Sequence, residues 1–280
     1  MSKFVLLASY PKSGNTWARA LLTAWRGGKS LDLDALDGLP KLIDRHLFEE
    51  EAGIDSDLLE PSALLEWRSR YHEYLAQRLS ADTLVKVHDR CVRTRSGRLL
   101  FPPAATARVI YLVRNPLDVA VSFAHHDQQS EQRIVERMRC EESWLHAPVG
   151  GIRETLPQPL GSWSEHIRSW LDESGHSCLL VRYEDLLEDT LGQLRRMIEF
   201  LGKRWNDERG RRAVRETSFE TLQEAESRLG FRERPSSCPQ FFRKGQAGTW
   251  RDSLASPLVR QLCADHLEMM ERFHYTVAPP

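Results

Sequence analysis

The stretch Leu6–Leu22, LLASYPKSGNTWARALL, decides how the rest of the chain is read. An apolar run ends in a glycine-containing turn, and an amphipathic helical pattern starts directly after it. This is the outline of a phosphate-binding loop. In the common nucleotide-binding loop the lysine follows the last glycine and is itself followed by Ser or Thr. Here Lys12 precedes Gly14 by two residues. Gly14 lets the backbone approach a ligand, and the uncommitted N–H groups of a new helix attract an anion. Lys12 adds a full positive charge, while Ser13, Asn15 and Thr16 add donors. Alone, the loop fits an anion site and also an ordinary strand–turn–helix joint with a surface lysine.

Working outward, residues 4–8, 84–87, 109–113 and 178–181 are short runs rich in Val, Leu or Ile, as buried parallel strands tend to be. Helical patterns cover 14–25, 116–126, 162–171 and 190–201, the second with proline at an early helical position. Strands alternating with helices predict an α/β fold, P-loop-like and three-layered, with a central parallel sheet flanked by helices. A chain of 280 residues fits a single domain, 1–280. Within it, 31–79 and 127–160 read as long insertions of the kind that form helical lids over a site. The polar stretch 228–239 reads as a mobile loop.

Acidic and basic residues nearly cancel, 40 against 39, so the whole chain is not marked as a binder of nucleic acid or membrane surfaces. The five cysteines include no C-x-x-C pair, which argues against zinc and against a disulfide framework. The first apolar run is too short for a signal-peptide core, and no run approaches the ~18 residues of a membrane span. The expectation is a soluble cytoplasmic protein without nucleic-acid or membrane partners.

Ligands of open parallel sheets bind beyond the carboxyl ends of the strands. After the second run, Lys86 and His88 alternate onto one side. His88 there suits a general base, or simply a satisfied backbone hydrogen bond. After the third, Arg114 and Ser122, two turns along the helix, suit a clamp on a second phosphate. The plain alternative is a surface arginine with Asp118 at a helix start. After the fourth, Tyr183 offers a ring and a hydroxyl, while Glu184 and Asp185 suit helix capping. Late in the chain Arg243 and Lys244 adjoin Gly245 and Gly248, which fits a phosphate monoester or a basic surface turn.

The order of these segments is more specific than any one of them. From Tyr10 to Trp250, outside the two insertions, the chain resembles the sulfotransferases that use 3′-phosphoadenosine 5′-phosphosulfate (PAPS), and looks most like bacterial members that decorate natural products. The resemblance implies that Lys12, Ser13, Gly14, Asn15, Thr16 and Trp17 surround the 5′-phosphosulfate. It implies that Arg114, Ser122, Arg243, Lys244 and Gly245 grip the 3′-phosphate, and that Tyr183, Thr217 and Phe219 lie on the adenine side. His88 would be the catalytic base and Lys86 would help neutralise the sulfuryl group. PAPS is then the co-substrate and no metal is required. The acceptor would be a phenol or alcohol of a small molecule, with Phe48, Trp67, Tyr71, Tyr74, His125, His126 and Trp144 as wall residues; each singly also suits a helix core. Asn15 stands where many members have Thr, and Thr249 where Asp is common. The dimerisation segment of many animal members is not evident, which leaves monomer and homodimer open. A P-loop small-molecule kinase is the competing enzyme, since Ser13 follows Lys12, but the two-glycine frame before the lysine is missing. A non-catalytic nucleotide-binding protein on this fold has no need of K-x-H.

Overall fold

A computed structural model describes residues 3–27, 33, 36, 42–80, 83–146 and 154–275. Residues 148–152 (PVGGI) of the second insertion, and 31–32, 34–35 and 37–41 of the first, lie outside the described residues. The elements run β1 (Phe4–Ser9), α1 (Asn15–Arg26), α2 (Arg45–Ala52), α3 (Pro61–Arg78), β2 (Leu84–Val87), β3 (Thr106–Val113), α4 (Pro116–Asp127), α5 (Glu131–Arg139), β4 (Trp144–Leu145), β5 (Gln158–Pro159), α6 (Trp163–Arg168), β6 (Cys178–Arg182), α7 (Tyr183–Glu188), α8 (Thr190–Phe200), α9 (Asp207–Glu216), α10 (Phe219–Leu229), α11 (Ser256–Asp265) and α12 (Leu267–Arg272). Four strands form a parallel sheet in the order β2-β1-β3-β6. β1 pairs with β2 from Val5↔Leu84 to Ala8↔Val87. All six residues of β1 are buried, as the continuous apolar run requires of a strand covered on both faces.

The chain divides into two compact units interleaved in sequence. Met1–Tyr10, Asp37–Tyr111 and Glu141–Leu179 form the first, and Pro11–Leu36, Leu112–Cys140 and Leu180–Pro280 the second. In the first, α3 turns Leu64, Arg68, Tyr71, His72 and Leu75 inward, a helical stripe in which two positions are polar. Arg68 meets Asp89 at 2.7 Å, and both are almost fully buried. Arg68 also donates to the Pro157 carbonyl, and the Trp170 indole donates to the Asp89 carbonyl. The His72 ring stacks on Phe101 at 5.0 Å.

In the second unit, α1 packs on α8 and α9. Ala20, Leu222, Phe231 and Phe242 form a buried cluster with Trp17, Phe219 and Phe241 against it. Residues 228–239, expected from their polarity to form a mobile loop, run from the end of α10 into irregular turns with contacts to other elements. Phe231 is buried, Arg19 of α1 reaches Glu233 at 2.7 Å, and Glu226 accepts the N–H groups of Phe241 and Phe242. Glu233 makes its contact with a distant partner, while Arg228, Arg232, Arg234, Ser236 and Ser237 are exposed.

Asp89→Asn would leave the buried Arg68 charge without its counter-ion, and is expected to cost about 3–5 kcal/mol in urea unfolding. A loss below about 1 kcal/mol would count against the pair as the organiser of this unit. Burial pushes His72 and His166 down to about 3 and His266 to about 4, with nearby arginines adding to the effect. The unfolded chain takes up protons on these residues from about pH 6.5 downward, protons that the native state refuses. Stability should therefore fall on acidification between those values, by roughly 1.4 kcal/mol per pH unit for each histidine, as read from unfolding midpoints against pH.

Candidate active site

The chain leaves β1 at Ser9 and turns through Lys12, at φ 66°, and Gly14, at φ 94°. A lysine in the left-handed region is uncommon, and the surrounding contacts must hold it there. α1 then begins at Asn15 with no side-chain cap and no acidic residue in its first turn. No carboxylate of the first turn compensates the positive end of its dipole. The Ser13 hydroxyl is buried without a hydrogen-bond partner among the described residues. This is the chemistry that suits an anion.

Gly14 has a reason beyond ligand approach. A Cβ there would lie 2.6 Å from the Tyr183 ring, so only glycine fits beneath that aromatic. The Arg114 guanidinium lies over the same ring, 4.3 Å from its centroid, and Trp17 meets the ring edge-on at 5.9 Å. Arg114 donates to the carbonyls of Lys12 and Gln246, each at 3.1 Å, and Trp17 donates to the Thr217 carbonyl at 3.0 Å. Gly245, at φ 60°, lies under Phe219, whose ring a Cβ would approach to 2.3 Å. Lys12 Nζ sits 3.2 Å from His126 Nδ1 and 4.1 Å from the Phe241 ring centroid.

The second unit thus gathers Lys12, Gly14, Trp17, Arg114, Tyr183, Thr217, Phe219 and Gly245, residues scattered over most of the sequence. Ser122 is half-buried on α4, Arg243 half-buried and Lys244 exposed. Burial, then the Arg243 charge, lowers His125 below the usual imidazole range. Sequence reasoning missed Asp118. It is buried and accepts from Gly248 N, Thr249 Oγ1 and Trp250 N at 2.7–3.1 Å, so it anchors the late glycine segment rather than merely starting a helix. It is also why Thr249 functions here, as a donor to that carboxylate. His126, expected among the acceptor-wall residues, and Phe241, which sequence reasoning did not single out, flank the lysine.

In the first unit, Lys86 and His88 are half-buried between the buried Val85, Val87 and Asp89, the expected alternation. His88 Nδ1 lies 2.8 Å from the Ser9 carbonyl. A carbonyl only accepts, so Nδ1 carries the proton in that bond; Ser9 Oγ lies 3.3 Å from the same nitrogen. Of the aromatic residues of the first insertion, Phe48 and Tyr71 are buried. Tyr71 meets Phe48 edge-on at 5.2 Å, Tyr74 stacks on Tyr71 and hydrogen-bonds Glu51, and Trp67 is exposed. Trp144 does line a pocket of about 420 Å³, together with Arg90, Arg93, Glu141, Glu142 and Gly161. Among the described residues no His, Cys, Asp or Glu cluster is arranged for a metal ion, and no helix is long and apolar enough to cross a membrane.

A family model described as "Sulfotransferase domain" matches residues 2–274. The chain belongs to the sulfotransferase family. Its reaction is sulfuryl transfer, and the kinase reading is not favoured. Among curated relatives, rat sulfotransferase 2A6 is 26% identical over 258 residues, covering 89% of this chain and 78% of the relative. Dog sulfotransferase 1B1 is 27% identical over 263 residues, covering 89% and 77%. Among solved structures, mouse sulfotransferase SULT7A1 complexed with PAP has a TM-score of 0.59 at 20% identity, covering 96% of this chain and 84% of that one. Retinol dehydratase in complex with androsterone and inactive cofactor PAP has a TM-score of 0.61 at 24% identity, covering 95% and 80%. These structures share the α/β fold.

Gly14→Ala is expected to destabilise the protein by two separable effects, a left-handed φ costing about 1–2 kcal/mol and the clash with Tyr183. In a Tyr183→Ala background only the first should remain. Equal losses in both backgrounds, measured by denaturant unfolding, would show that the aromatic does not impose the glycine.

Proposed function

We propose that residues 1–280 act as one sulfotransferase domain that moves the sulfuryl group of PAPS to the hydroxyl of a small-molecule acceptor and releases adenosine 3′,5′-bisphosphate. The observation that carries this reading is the start of α1. Lys12 is held in a left-handed conformation, the Ser13 hydroxyl is buried without a partner among the described residues, and the helix end has no side-chain cap. The presence of PAP in the mouse sulfotransferase and retinol dehydratase structures supports the choice of nucleotide.

When bound, PAPS supplies an activated sulfuryl group whose leaving oxygen belongs to the 5′-phosphate. The N–H groups of Gly14, Asn15 and Thr16, with the Ser13 hydroxyl and the Trp17 side, bind that phosphate. Lys12 Nζ neutralises charge at the departing oxygen, and Lys86 adds positive potential to the sulfuryl oxygens. His88 takes the acceptor's hydroxyl proton at Nε2, so the acceptor oxygen gains sulfur as it loses hydrogen. Arg114, Ser122, Arg243, Lys244 and Gly245 hold the 3′-phosphate. Arg114 already spends two donors on carbonyls, but its Nε is buried without a partner among the described residues. Tyr183, Thr217 and Phe219 flank the adenine. ATP would leave the 3′-phosphate donors unpaired, which is costly in a partly buried site.

Adenosine 3′,5′-bisphosphate should raise the melting temperature where ATP with magnesium does not, because a ligand that binds only the folded state stabilises it. Stabilisation by ATP and magnesium alone would overturn the nucleotide assignment. His88→Ala should lower kcat by about 10²–10⁴-fold and leave the bisphosphate affinity nearly unchanged. Near-normal turnover would remove His88 from the mechanism. Arg114→Ala should weaken bisphosphate binding by calorimetry, and unchanged affinity would remove the 3′-phosphate role.

A further inference from the structure

The four residues that follow β2 have no regular secondary structure, yet all are buried or half-buried. Buried irregular backbone needs partners for its polar groups. Here the partners come from one short helix and its continuation. α6 is opened by a capping box between Ser162 and Glu165, and it passes directly into a π-helical turn at Ser169–Glu173. Its residues meet the chain one after another. His166 Nε2 lies 3.1 Å from the His88 carbonyl and donates to it. The Trp170 indole donates to the Asp89 carbonyl at 2.9 Å. Arg90 donates to Glu165 Oε2 at 2.9 Å, and Cys91 N donates to Ser169 Oγ at 3.1 Å. Residues 165, 166, 169 and 170 share one face at helical spacing. π-Turns of this kind recur at functional sites.

His166 is the member that touches His88 itself. Its Nε2 is the donor, so its Nδ1 is the acceptor, and the Tyr111 hydroxyl supplies the proton for that bond at 2.8 Å. Tyr10 closes the ring's flank edge-on at 5.5 Å. The imidazole is fully buried and held in one tautomer. His88 is thereby fixed twice: its ring through Nδ1 to the Ser9 carbonyl, and its backbone through its own carbonyl to His166.

We infer that α6 and its π-turn form a splint that aims His88, with His166 as the positioning residue and Tyr111 as the group that sets the tautomer of His166. This rests on the reading of His88 as the base. His166 never meets the acceptor in this scheme. It transmits order to the Cα–Cβ direction of His88, and a small error in aim is enough to cost rate.

A double-mutant cycle tests it on the full chain, measuring kcat, KM for PAPS, bisphosphate affinity and melting temperature for His166→Leu, His166→Gln and Tyr111→Phe, each with and without His88→Ala. His166→Leu should lower kcat by about 10–100-fold with KM for PAPS and bisphosphate affinity unchanged. His166→Gln, which can still donate to the carbonyl, should recover part of the loss. Tyr111→Phe should lower kcat by several-fold, about 3–10. In the His88→Ala background all three should change the residual rate less than twofold, because groups that act through one residue are not additive. The same fractional loss in both backgrounds, or a kcat within about twofold of wild type for His166→Leu and Tyr111→Phe, overturns the splint. If His166→Leu does not fold, the other two variants decide the matter by the same criteria. Failure of the base assignment looks different: His88→Ala alone then retains turnover.

Discussion

One guanidinium organises the second unit. Arg114 is almost fully buried and joins carbonyls that lie 102 and 132 residues from it in sequence, at Lys12 and Gln246. Its plane rests over Tyr183, which in turn fills the space that Gly14 leaves open. The left-handed turn at Lys12 is therefore supported by a hydrogen bond to its own carbonyl, from a cation that cannot move without disturbing three other segments. A lysine at position 114 would supply charge but not the planar fork that reaches two acceptors at once. Removing the carboxylate of Asp118 would free the far end of the same arrangement, since that group alone receives three donors from residues 248–250.

The first unit solves a different problem. Its β2 strand ends and the chain continues through the interior without a regular hydrogen-bond ladder. Four backbone or side-chain groups are satisfied by a helix that arrives more than seventy residues later. The Asp89 side chain goes to Arg68 of α3 instead. The segment is over-determined, held from two helices, and this makes an irregular stretch as fixed as a strand.

How much of this was visible in the sequence depends on the range of the signal. Local patterns carried the strands, because a buried parallel strand is apolar throughout, and β1 and β2 appeared where the apolar runs placed them. The strand–turn–helix joint proposed as an anion loop was visible from the Lys12, Ser13 and Gly14 residue types. The reasons for particular residues were not. Nothing near Gly14 announces that Tyr183 will sit on it, and Phe219 gives no hint of Gly245. Asp118 reads as an ordinary helix-start carboxylate until residues 248–250 fold against it. Arg19 lies on the buried face of an amphipathic helix, where its distant partner Glu233 is a contact that no local pattern announces. Tyr71, in contrast, had the helical spacing of a core residue and is buried, while Tyr74 stacks on it from a half-buried position. Periodicity reports neighbours within an element, whereas these contacts join elements through the topology of the sheet.

The bare beginning of α1 has a further consequence. In most helices a carboxylate in the first turn or an Asp, Asn, Ser or Thr cap adds stability. Here Gly14 occupies the cap position and the first turn holds Asn15, Thr16 and Trp17. Asn15→Asp would be a rational stabilising substitution by every helix rule, and it would put a negative charge where the anion is to bind. Selection for heat resistance alone would drift toward that change, and a population maintained by function would not. On the proposed function, this uncapped helix start is thus a place where folding and catalysis ask for opposite residues.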